Sequence, residues 1–280
     1  MIKAIATDLD GTLFYPKRKL RLIKSKNTRF LKSVISEGKK LILVTGRNKH
    51  VSSKVAKRVK SNDLLIIGCN GALIIDKGEM IYEHPIPLDK AKELCEILDK
   101  DQKVKSILVF TNKHNLIVDD SHLDPLFALV GRIGMKMQGV YNEPYLCGKK
   151  FLDRAFKDEE LKIYKIMPWF GLKKNGEGRA RLASIEYQES VGDTYSISWS
   201  GTAVEFVAKG VDKAKGLSFI LSKYDINTDE VLVAGDSGND IPLFENFENS
   251  FAMNHAPEEI KAKAKYVIES VADLKKYCNE

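Results

Sequence analysis

The chain has 280 residues, of which 30% are charged and 44% hydrophobic, and this composition is typical of folded globular proteins rather than disordered ones. No apolar run approaches the roughly 18 to 20 residues that a membrane span needs. The start Met1–Ala4 leads directly into a strand pattern, so we expect no signal peptide. Four scattered cysteines without metal or redox spacing favour reduced thiols and a cytoplasmic location. Together these features disfavour membrane, secreted and fibrous proteins.

The net charge of +7 is unevenly distributed along the chain. Residues 1–60 contain 17 Lys or Arg against three acids, whereas the remaining 220 residues contain 28 bases against 35 acids. The basic segment 17–60, crowded at Lys17, Arg18, Lys19, Arg21 and Lys24, is compatible with nucleic-acid binding, with capture of an anionic small substrate, or with a solvated lysine-rich surface.

The first 70 residues alternate between short apolar runs and helical periodicity. The predicted elements are a strand over 2–6, a helix capped by Asn27 or Thr28 and closed by Gly38, a strand over 41–44, a helix through Val51, Val55 and Val59, and a strand over 64–67. Asn70-Gly71 is typical of a turn. This alternation predicts right-handed crossovers onto a parallel sheet.

The pattern changes after about residue 83 and returns near residue 208. A helix over 88–100 precedes half-buried strands predicted over 106–110, 115–118, 161–167, 181–187, 195–199 and 203–207, with a hairpin tip at 173–178 and no assignment for 119–160. A helix capped by Asp212 and a buried strand over 231–234 then resume the alternation of helices and buried strands seen in the first 70 residues. We therefore predict an α/β fold, with a Rossmann-like parallel-sheet core (1–83 and 208–280) and an inserted α+β cap domain (84–207).

Three predicted parallel strands stop at small polar clusters, which are Asp8–Thr12, Thr45–Arg47 and Asp236–Asp240. Because ligands bind beyond the carboxyl ends of such strands, these clusters are expected to meet in one crevice. Asp8, Asp10, Asp236 and Asp240 would then gather, and their mutual repulsion requires a counter-charge. A hard divalent cation with oxygen ligands, Mg²⁺ first, suits such a group, and Lys213 would add positive charge.

A phosphate ester fits this arrangement electrostatically. Carboxylates alone would repel a dianionic phosphate, whereas a divalent cation offsets their charge and bridges a phosphate oxygen. The residues therefore favour phosphoryl transfer.

Four segments resemble the motifs of the haloacid dehalogenase-like superfamily. They are Asp8-Leu9-Asp10-Gly11-Thr12-Leu13, Val44-Thr45-Gly46-Arg47, Lys213 within 209–213, and Gly235-Asp236-Ser237-Gly238-Asn239-Asp240. With more than a hundred residues inserted after the third strand, their order resembles the Cof-type phosphatases with a large α/β cap. Near the end of the chain, the segment Met253-Asn254-His255-Ala256 departs from the family's usual Gly-Asn-Ala, so the loop there is expected to differ from that of the family. Surface or core roles are expected for the five histidines.

The resemblance implies a role for each matching residue. Asp8 would be the nucleophile that forms an aspartyl-phosphate, and Asp10 would protonate the leaving alcohol and then activate water. Mg²⁺ would be held by Asp8, the backbone carbonyl of Asp10, and Asp236. The phosphate and substrate would be bound by Thr45, Gly46, Arg47, Lys213 and Asn239. For Arg47, the alternative is a side chain that faces solvent. Asp240 would stand behind the metal ligands or orient Lys213, and Thr12 would shape the loop.

Asp10 also separates branches of the superfamily, because ion-pumping ATPases and dehalogenases lack an acid two residues after the nucleophile. The favoured activity is therefore hydrolysis of small phosphate esters, with sugar phosphates as first candidates, by a phosphoric monoester hydrolase. The alternatives are a phosphotransferase or phosphomutase on the same scaffold and, less favoured, a nucleic-acid-binding protein that uses segment 17–60. Membrane partners are not expected, and the sequence leaves the oligomeric state open.

Overall fold

Short runs of aliphatic residues form the strands, and helices with one apolar face form most of the connections. The strands are β1 (Ala4–Thr7), β2 (Lys40–Val44), β3 (Leu65–Gly68), β4 (Leu73–Asp76), β5 (Glu79–Glu83), β6 (Ser106–Thr111), β7 (Asn115–Asp119), β8 (Leu146–Cys147), β9 (Ile163–Trp169), β10 (Tyr195–Ser200), β11 (Ala203–Ala208), β12 (Val231–Gly235), β13 (Ser250–Met253) and β14 (Tyr266–Ile268). The helices are α1 (Ser25–Ser36), α2 (Lys49–Val59), α3 (Leu88–Lys100), α4 (Pro125–Lys136), α5 (Lys149–Ala155), α6 (Lys173–Val191), α7 (Lys213–Lys223), α8 (Ile241–Asn246) and α9 (Glu258–Lys261).

This computed structural model describes residues 1–16, 23–136 and 143–278, and the chain divides into two units. The first unit comprises Met1–Tyr82 and Asp212–Glu280, and the second comprises Glu83–Val211. The sequence placed the return to the first unit after residue 207. It lies after Val211 instead, because β11 extends to Ala208 and the amide of Val211 still bonds the Ala208 carbonyl at 3.0 Å.

The sheet of the first unit has the order β14-β13-β12-β1-β2-β3-β4-β5. All neighbouring pairs from β14 to β3 are parallel, and β4 pairs with β3 in the antiparallel direction. Every residue of β1, β3, β4 and β12 is buried, as expected for strands covered on both faces. The predicted α/β fold with a parallel-sheet core is therefore confirmed, and β1 lies at its centre between β12 and β2.

The predicted start of α1 is wrong by three or four residues, because the residue that precedes the first turn is Lys24. Asn27 and Thr28 lie inside the first turn of the helix. Asn27 does not cap the helix, because its buried side chain bonds groups outside α1. Its Oδ1 accepts hydrogen bonds from the Ser270 hydroxyl at 2.5 Å and the Ala272 amide at 3.1 Å, and its Nδ2 donates to the Leu13 carbonyl at 3.4 Å. This side chain joins α1 to the segment that follows β14.

The second unit is built on a six-stranded sheet of order β10-β11-β9-β6-β7-β8. Its pairs are antiparallel except β7 with β8, which confirms the predicted antiparallel character. The stretch 119–160, which the sequence left unassigned, contributes α4, β8 and α5. Among the helices in the described ranges, none combines the length and apolar character that a membrane crossing requires.

Two predictions for the second unit are wrong, and both fall in α6. The predicted strand over 181–187 and the predicted hairpin tip over 173–178 are parts of this single helix. Its inward residues are the small Ala180 and Ala183 and then Tyr187, at helical spacing, whereas Leu182 and Ile185 are exposed. The largest aliphatic side chains therefore point outward, which hid the helical period.

Asn27→Ala tests the connection between α1 and the chain end. The substitution leaves buried donors and acceptors unpaired, so we expect it to lower the free energy of unfolding by about 2–3 kcal/mol. The melting temperature followed by circular dichroism should fall by several degrees. Asn246→Ala, at an exposed helix end, is the matched control and should change it little; equal effects of the two variants would contradict the assignment.

Candidate active site

The carboxyl ends of three adjacent strands bring the predicted polar clusters together. Thr7, the last residue of β1, is in register with Leu43 of β2 and Ala234 of β12. The next residue, Asp8, donates its amide to the Ala234 carbonyl at 2.9 Å, so its position is fixed against β12. Thr45 and Asp236 follow β2 and β12 in the same direction, and the three residues therefore share one edge of the sheet.

A buried ammonium group lies at the centre of this edge. Lys213 is wholly inaccessible to solvent, and its Nζ donates to Asp8 Oδ1 at 2.8 Å, Asp240 Oδ1 at 2.7 Å and Asn239 Oδ1 at 3.1 Å. These acceptors match its three N–H donors. Lys213 is the first residue of α7, and the Asp212 side chain caps that helix by accepting the Lys215 amide at 2.8 Å, which holds the lysine in place.

The carboxylates and the ammonium group control each other's protonation. Burial lowers the pKa of Lys213, but the charges of Asp240 and Asp8 raise it more, so the side chain stays protonated. Burial raises the pKa of Asp8 well above its usual range; Lys213 opposes this increase, and the neighbouring Asp240 and Asp236 charges add to it. Three carboxyl groups therefore share one ammonium group, and their full ionisation would require a further positive charge.

Asp240 acts as a scaffold for the loop after β12. Its Oδ2 accepts the amides of Asp236 at 2.9 Å and Ser237 at 3.1 Å, while its Oδ1 binds Lys213. Burial raises the pKa of Asp240, and the Asp236 charge adds to this increase, whereas the Lys213 charge opposes it. Both of its oxygens are already bonded, so in this structure Asp240 holds the loop after β12 and the Lys213 ammonium group together.

Asp236 approaches the loop after β1 from the other side. Its Oδ1 accepts the Thr12 hydroxyl at 2.8 Å, a direct contact where the sequence predicted only that Thr12 shapes the loop. Gly11 has a φ of +81°, and a Cβ there would lie 2.1 Å from Asp236 Oδ2. Only glycine therefore allows this approach. One carboxylate oxygen from each of Asp8, Asp236 and Asp240 lies within 4.8 Å of the other two.

Asp10 is the one predicted carboxylate that does not join this group. Its half-exposed side chain forms a two-point ion pair with Arg47, in which Nη2 lies 2.8 Å from Oδ1 and Nε bonds Oδ2. The expectation that four carboxylates gather is therefore corrected to three, because Arg47 neutralises the fourth. Arg47 had been expected to face either a substrate or solvent. The predicted metal contact of Asp10 through its backbone carbonyl stays a prediction.

The loop after β2 is tied to a turn that the sequence did not assign to the site. Thr45 Oγ1 accepts a hydrogen bond from the Arg47 amide at 3.1 Å, and the half-buried Gly46 lies between these two residues. Because Oγ1 is the acceptor in this bond, the Thr45 hydroxyl can still donate its own proton. The Thr45 carbonyl accepts the Asn70 amide at 3.1 Å, and Asn239 Nδ2 donates to Asn70 Oδ1 at 3.4 Å. Asn70 thus links the loops after β2 and β12, whereas the sequence predicted a turn at Asn70-Gly71 near the crevice without a role in it.

His255 is a second residue near the site that sequence reasoning missed. Its Nε2 lies 3.8 Å from Asp236 Oδ2, and its ring stacks on Tyr15 at a centroid distance of 3.6 Å. His255 lies at the surface, which agrees with the expected surface or core role, but the sequence did not predict its position beside Asp236. The signal was present in the departure of Met253–Ala256 from the usual family string, since that loop follows β13 at the same edge of the sheet.

The four motifs, in this order and at these strand ends, agree with a comparison against known families. The model of the haloacid dehalogenase-like hydrolases matches residues 5–274. The chain belongs to this family. The predicted resemblance and the prediction that the chain is a hydrolytic enzyme are thereby confirmed.

Relatives of this hydrolase include named phosphatases. It is 26% identical over 271 residues to pyridoxal phosphate phosphatase YbhA of Escherichia coli, covering 95% of this chain and 93% of the relative. It is 23% identical over 269 residues to 5-amino-6-(5-phospho-D-ribitylamino)uracil phosphatase YbjI of the same organism, covering 95% and 90%. A haloacid dehalogenase-like hydrolase from B. subtilis has the same fold, with a TM-score of 0.82, 20% identity and 99% of both chains covered.

Lys213→Met tests the central ion cluster. The substitution keeps the length of the side chain but leaves buried Asp8 and Asp240 without their cation, so we expect a loss of about 3–5 kcal/mol in the free energy of unfolding. Thermal unfolding measures the change. Lys215→Met, on the exposed face of the same turn, is the control; a Lys213 variant as stable as this control would contradict the assigned charges.

Proposed function

We propose that this chain is a magnesium-dependent phosphatase that hydrolyses small phosphorylated metabolites, with sugar phosphates as the first candidates. The observation that carries the proposal is the buried Asp8–Lys213 pair within a group of three carboxylates. The named phosphatases among the relatives support the same reaction class. A cytoplasmic location remains a prediction of the sequence.

The donor set fits Mg²⁺. Three carboxylates and one ammonium group leave a charge of minus two, which one divalent cation balances, and carboxylate oxygens are the ligands that this ion prefers. Asp8, Asp236 and the carbonyl of Asp10 would hold the ion, while Asp240 is already engaged by two amides and Lys213. When bound, Mg²⁺ supplies positive charge that offsets the carboxylates and orients a phosphate oxygen.

In the proposed first step, an Asp8 oxygen attacks phosphorus. The bond from phosphorus to the ester oxygen breaks, and Asp10 donates a proton to the leaving alcohol. The charge of Lys213 orients Asp8 and favours its carboxylate form. Thr45 and the Gly46 amide would donate to the phosphate oxygens, with Asn239 on the opposite side.

In the second step, Asp10 removes a proton from water, whose oxygen attacks the phosphorus of the aspartyl-phosphate. Inorganic phosphate leaves, and the Asp8 carboxylate is restored. Because Asp10 is paired with Arg47 in this structure, its acid role requires that the pair opens when the ester binds. Arg47 would then be available to contact the substrate.

Asp8→Asn tests the nucleophile. The amide resembles the carboxylate in shape but does not form the aspartyl-phosphate, so we expect p-nitrophenyl phosphate turnover to fall to the background rate. Asp76→Asn is a matched control, since Asp76 is buried at the end of β4 and bonds Tyr224 and Lys223 instead. Unchanged turnover in Asp8→Asn would end the proposal.

Asp10→Asn separates general acid catalysis from simple binding. We expect a loss of about 10²- to 10⁴-fold in kcat for alkyl phosphates. The loss should be smaller for p-nitrophenyl phosphate, because its leaving group needs little protonation. Rates on both esters measure the difference, and an equal loss on both would contradict the acid role.

Mg²⁺ is expected to stabilise the protein itself. At about 100 times its dissociation constant, a ligand that binds only the folded state adds about 2.7 kcal/mol, so the melting temperature should rise by several degrees. Asp236→Asn should abolish most of this increase, whereas Asp76→Asn should retain it. A Mg²⁺-independent melting temperature in the parent protein would remove the metal from the proposal.

Product analysis distinguishes hydrolysis from transfer. A panel of sugar phosphates, pyridoxal phosphate and other small esters should release inorganic phosphate with Mg²⁺ present. A phosphate that moves to another position or to a second sugar, without release, would favour the phosphomutase or phosphotransferase alternative. For the nucleic-acid alternative, Lys17, Arg18, Lys19 and Arg21 lie outside the described residues. Retention on DNA or RNA that weakens steeply with salt would support it.

A further inference from the structure

A cleft of about 260 Å³ lies in the second unit among α3, α5, β6 and β7. Its volume is slightly below the roughly 300–1,000 Å³ of typical small-molecule sites, so it suits a small ligand. Ile107 of β6 and Asp119 of β7 are paired across the two strands, and both line the cleft. The buried Cys95 and Leu152 line it from α3 and α5. All of the lining residues belong to the second unit, and none belongs to the candidate active site.

Asp119 places a buried carboxylate in this cleft. The residue is 4% exposed, and its Oδ1 accepts the Ser121 amide at 3.0 Å. Among the residues that the structure describes, none donates a hydrogen bond to Asp119 Oδ2, and none forms an ion pair with this carboxylate. A buried oxygen without a donor carries a desolvation penalty, and buried polar groups normally have a partner. Oδ2 is therefore available to a donor that enters the cleft.

The cleft as a whole carries an excess of negative charge. Four carboxylates and two lysine ammonium groups line it. One of the carboxylates, Asp99, is already paired, because its two oxygens bind His122 Nε2 and Lys149 Nζ, each at 2.8 Å. The exposed Glu96 and Asp153 form no ion pair with any residue in the described ranges. The lining therefore has two more negative than positive charges, and it attracts a cation rather than an anion.

The rest of the lining is an apolar wall beside Asp119. It consists of Ile107, Leu152, the half-buried Phe156 and the Cys95 thiol. Burial, together with the neighbouring carboxylate charges, raises the pKa of Cys95 to about 12, so the thiol stays uncharged at neutral pH and behaves as a small apolar group. A ligand that reaches Asp119 Oδ2 therefore needs an alkyl body as well as a cationic group.

An organic ammonium ion fits this lining better than a divalent metal ion does. Within the part of the chain that the structure describes, the acidic group compact enough to hold a metal is that of Asp8, Asp236 and Asp240, which lies outside the cleft. An ammonium group has three N–H donors, and it binds a single carboxylate by charge-assisted hydrogen bonds. A second ammonium group at the opening of the cleft would be balanced by the exposed Glu96 and Asp153.

We propose that this cleft binds a small aliphatic diamine. One ammonium group donates to Asp119 Oδ2, the alkyl chain packs against the apolar wall, and the second ammonium group lies near Glu96 and Asp153. The two positive charges of the diamine match the two excess carboxylates of the lining. Because the cleft is separate from the candidate active site, this inference does not depend on the proposed function.

Isothermal titration calorimetry of the full chain with 1,5-diaminopentane, at an ionic strength of about 0.15 M, tests the site. The parent protein should bind one equivalent. Asp119→Asn should weaken the binding at least tenfold, because it removes the charged acceptor but keeps the Oδ1 that bonds Ser121. Asp193→Asn, at an exposed site of the same unit outside the cleft, is the matched control and should leave the binding unchanged.

A series of ligands tests the same charge requirement on the parent protein, without any substitution. Pentylamine, with one ammonium group, should bind more weakly than the diamine, and 1,5-pentanediol, with the same chain and no charge, should not bind. Replacing Glu96 by Gln together with Asp153 by Asn should remove the advantage of the diamine over pentylamine.

Three results would overturn the proposal. The first is a parent protein that binds no diamine at millimolar concentration. The second is equal binding of the diamine and 1,5-pentanediol, or equal binding of the diamine by Asp119→Asn and Asp193→Asn. The third is displacement of the diamine by an equal concentration of K⁺, which would make the cleft a site for inorganic cations instead.

Discussion

The structure of the site depends on one buried ammonium group. Lys213 is inaccessible to solvent and donates to Asp8, Asp240 and Asn239. Removing a charge from water costs several kcal/mol, and this cost is offset only when the partners are close and well oriented. The capped start of α7, the bonded Asp240 and the register of β1 with β12 all provide that orientation. The same contacts fix the orientation of the Asp8 carboxyl group and hold the loop that carries Asp236.

The position of the site followed from the sequence because parallel strands impose it. Asp8, Thr45 and Asp236 each come directly after a buried apolar run, and the carboxyl ends of adjacent parallel strands share an edge. The direction of individual side chains did not follow in the same way. Asp10 lies three residues beyond its strand, and its pairing with Arg47 depends on the loop path through Gly11, which strand periodicity does not encode. The stacking of His255 on Tyr15 likewise joins residues 240 positions apart.

The second unit was harder to predict because its helices do not all bury their apolar residues. In α6, Ala183, Ile185 and Tyr187 alternate with polar residues as they would in a strand, yet Ala183 and Tyr187 are buried and Ile185 is exposed. Burial of the small residues brings the helix close to the sheet, which the pattern of large residues does not reveal. Helix α4 likewise buries the small Ala128 and leaves the larger Leu126, Leu129 and Val130 exposed. Both departures lie on helices of the second unit rather than in the strands that carry the site.

The most direct test of the proposed mechanism is to trap a phosphorylated form of the enzyme. Acid quenching during turnover of a phosphate ester, followed by peptide mass spectrometry, would show which side chain holds the phosphoryl group. The account predicts one phosphoryl group on the peptide that contains Asp8, bound to Asp8 and released by hydroxylamine, as expected for an acyl phosphate. Phosphorylation at a different residue, or turnover with no covalent phosphoryl-enzyme under conditions that retain an acyl phosphate, would contradict it.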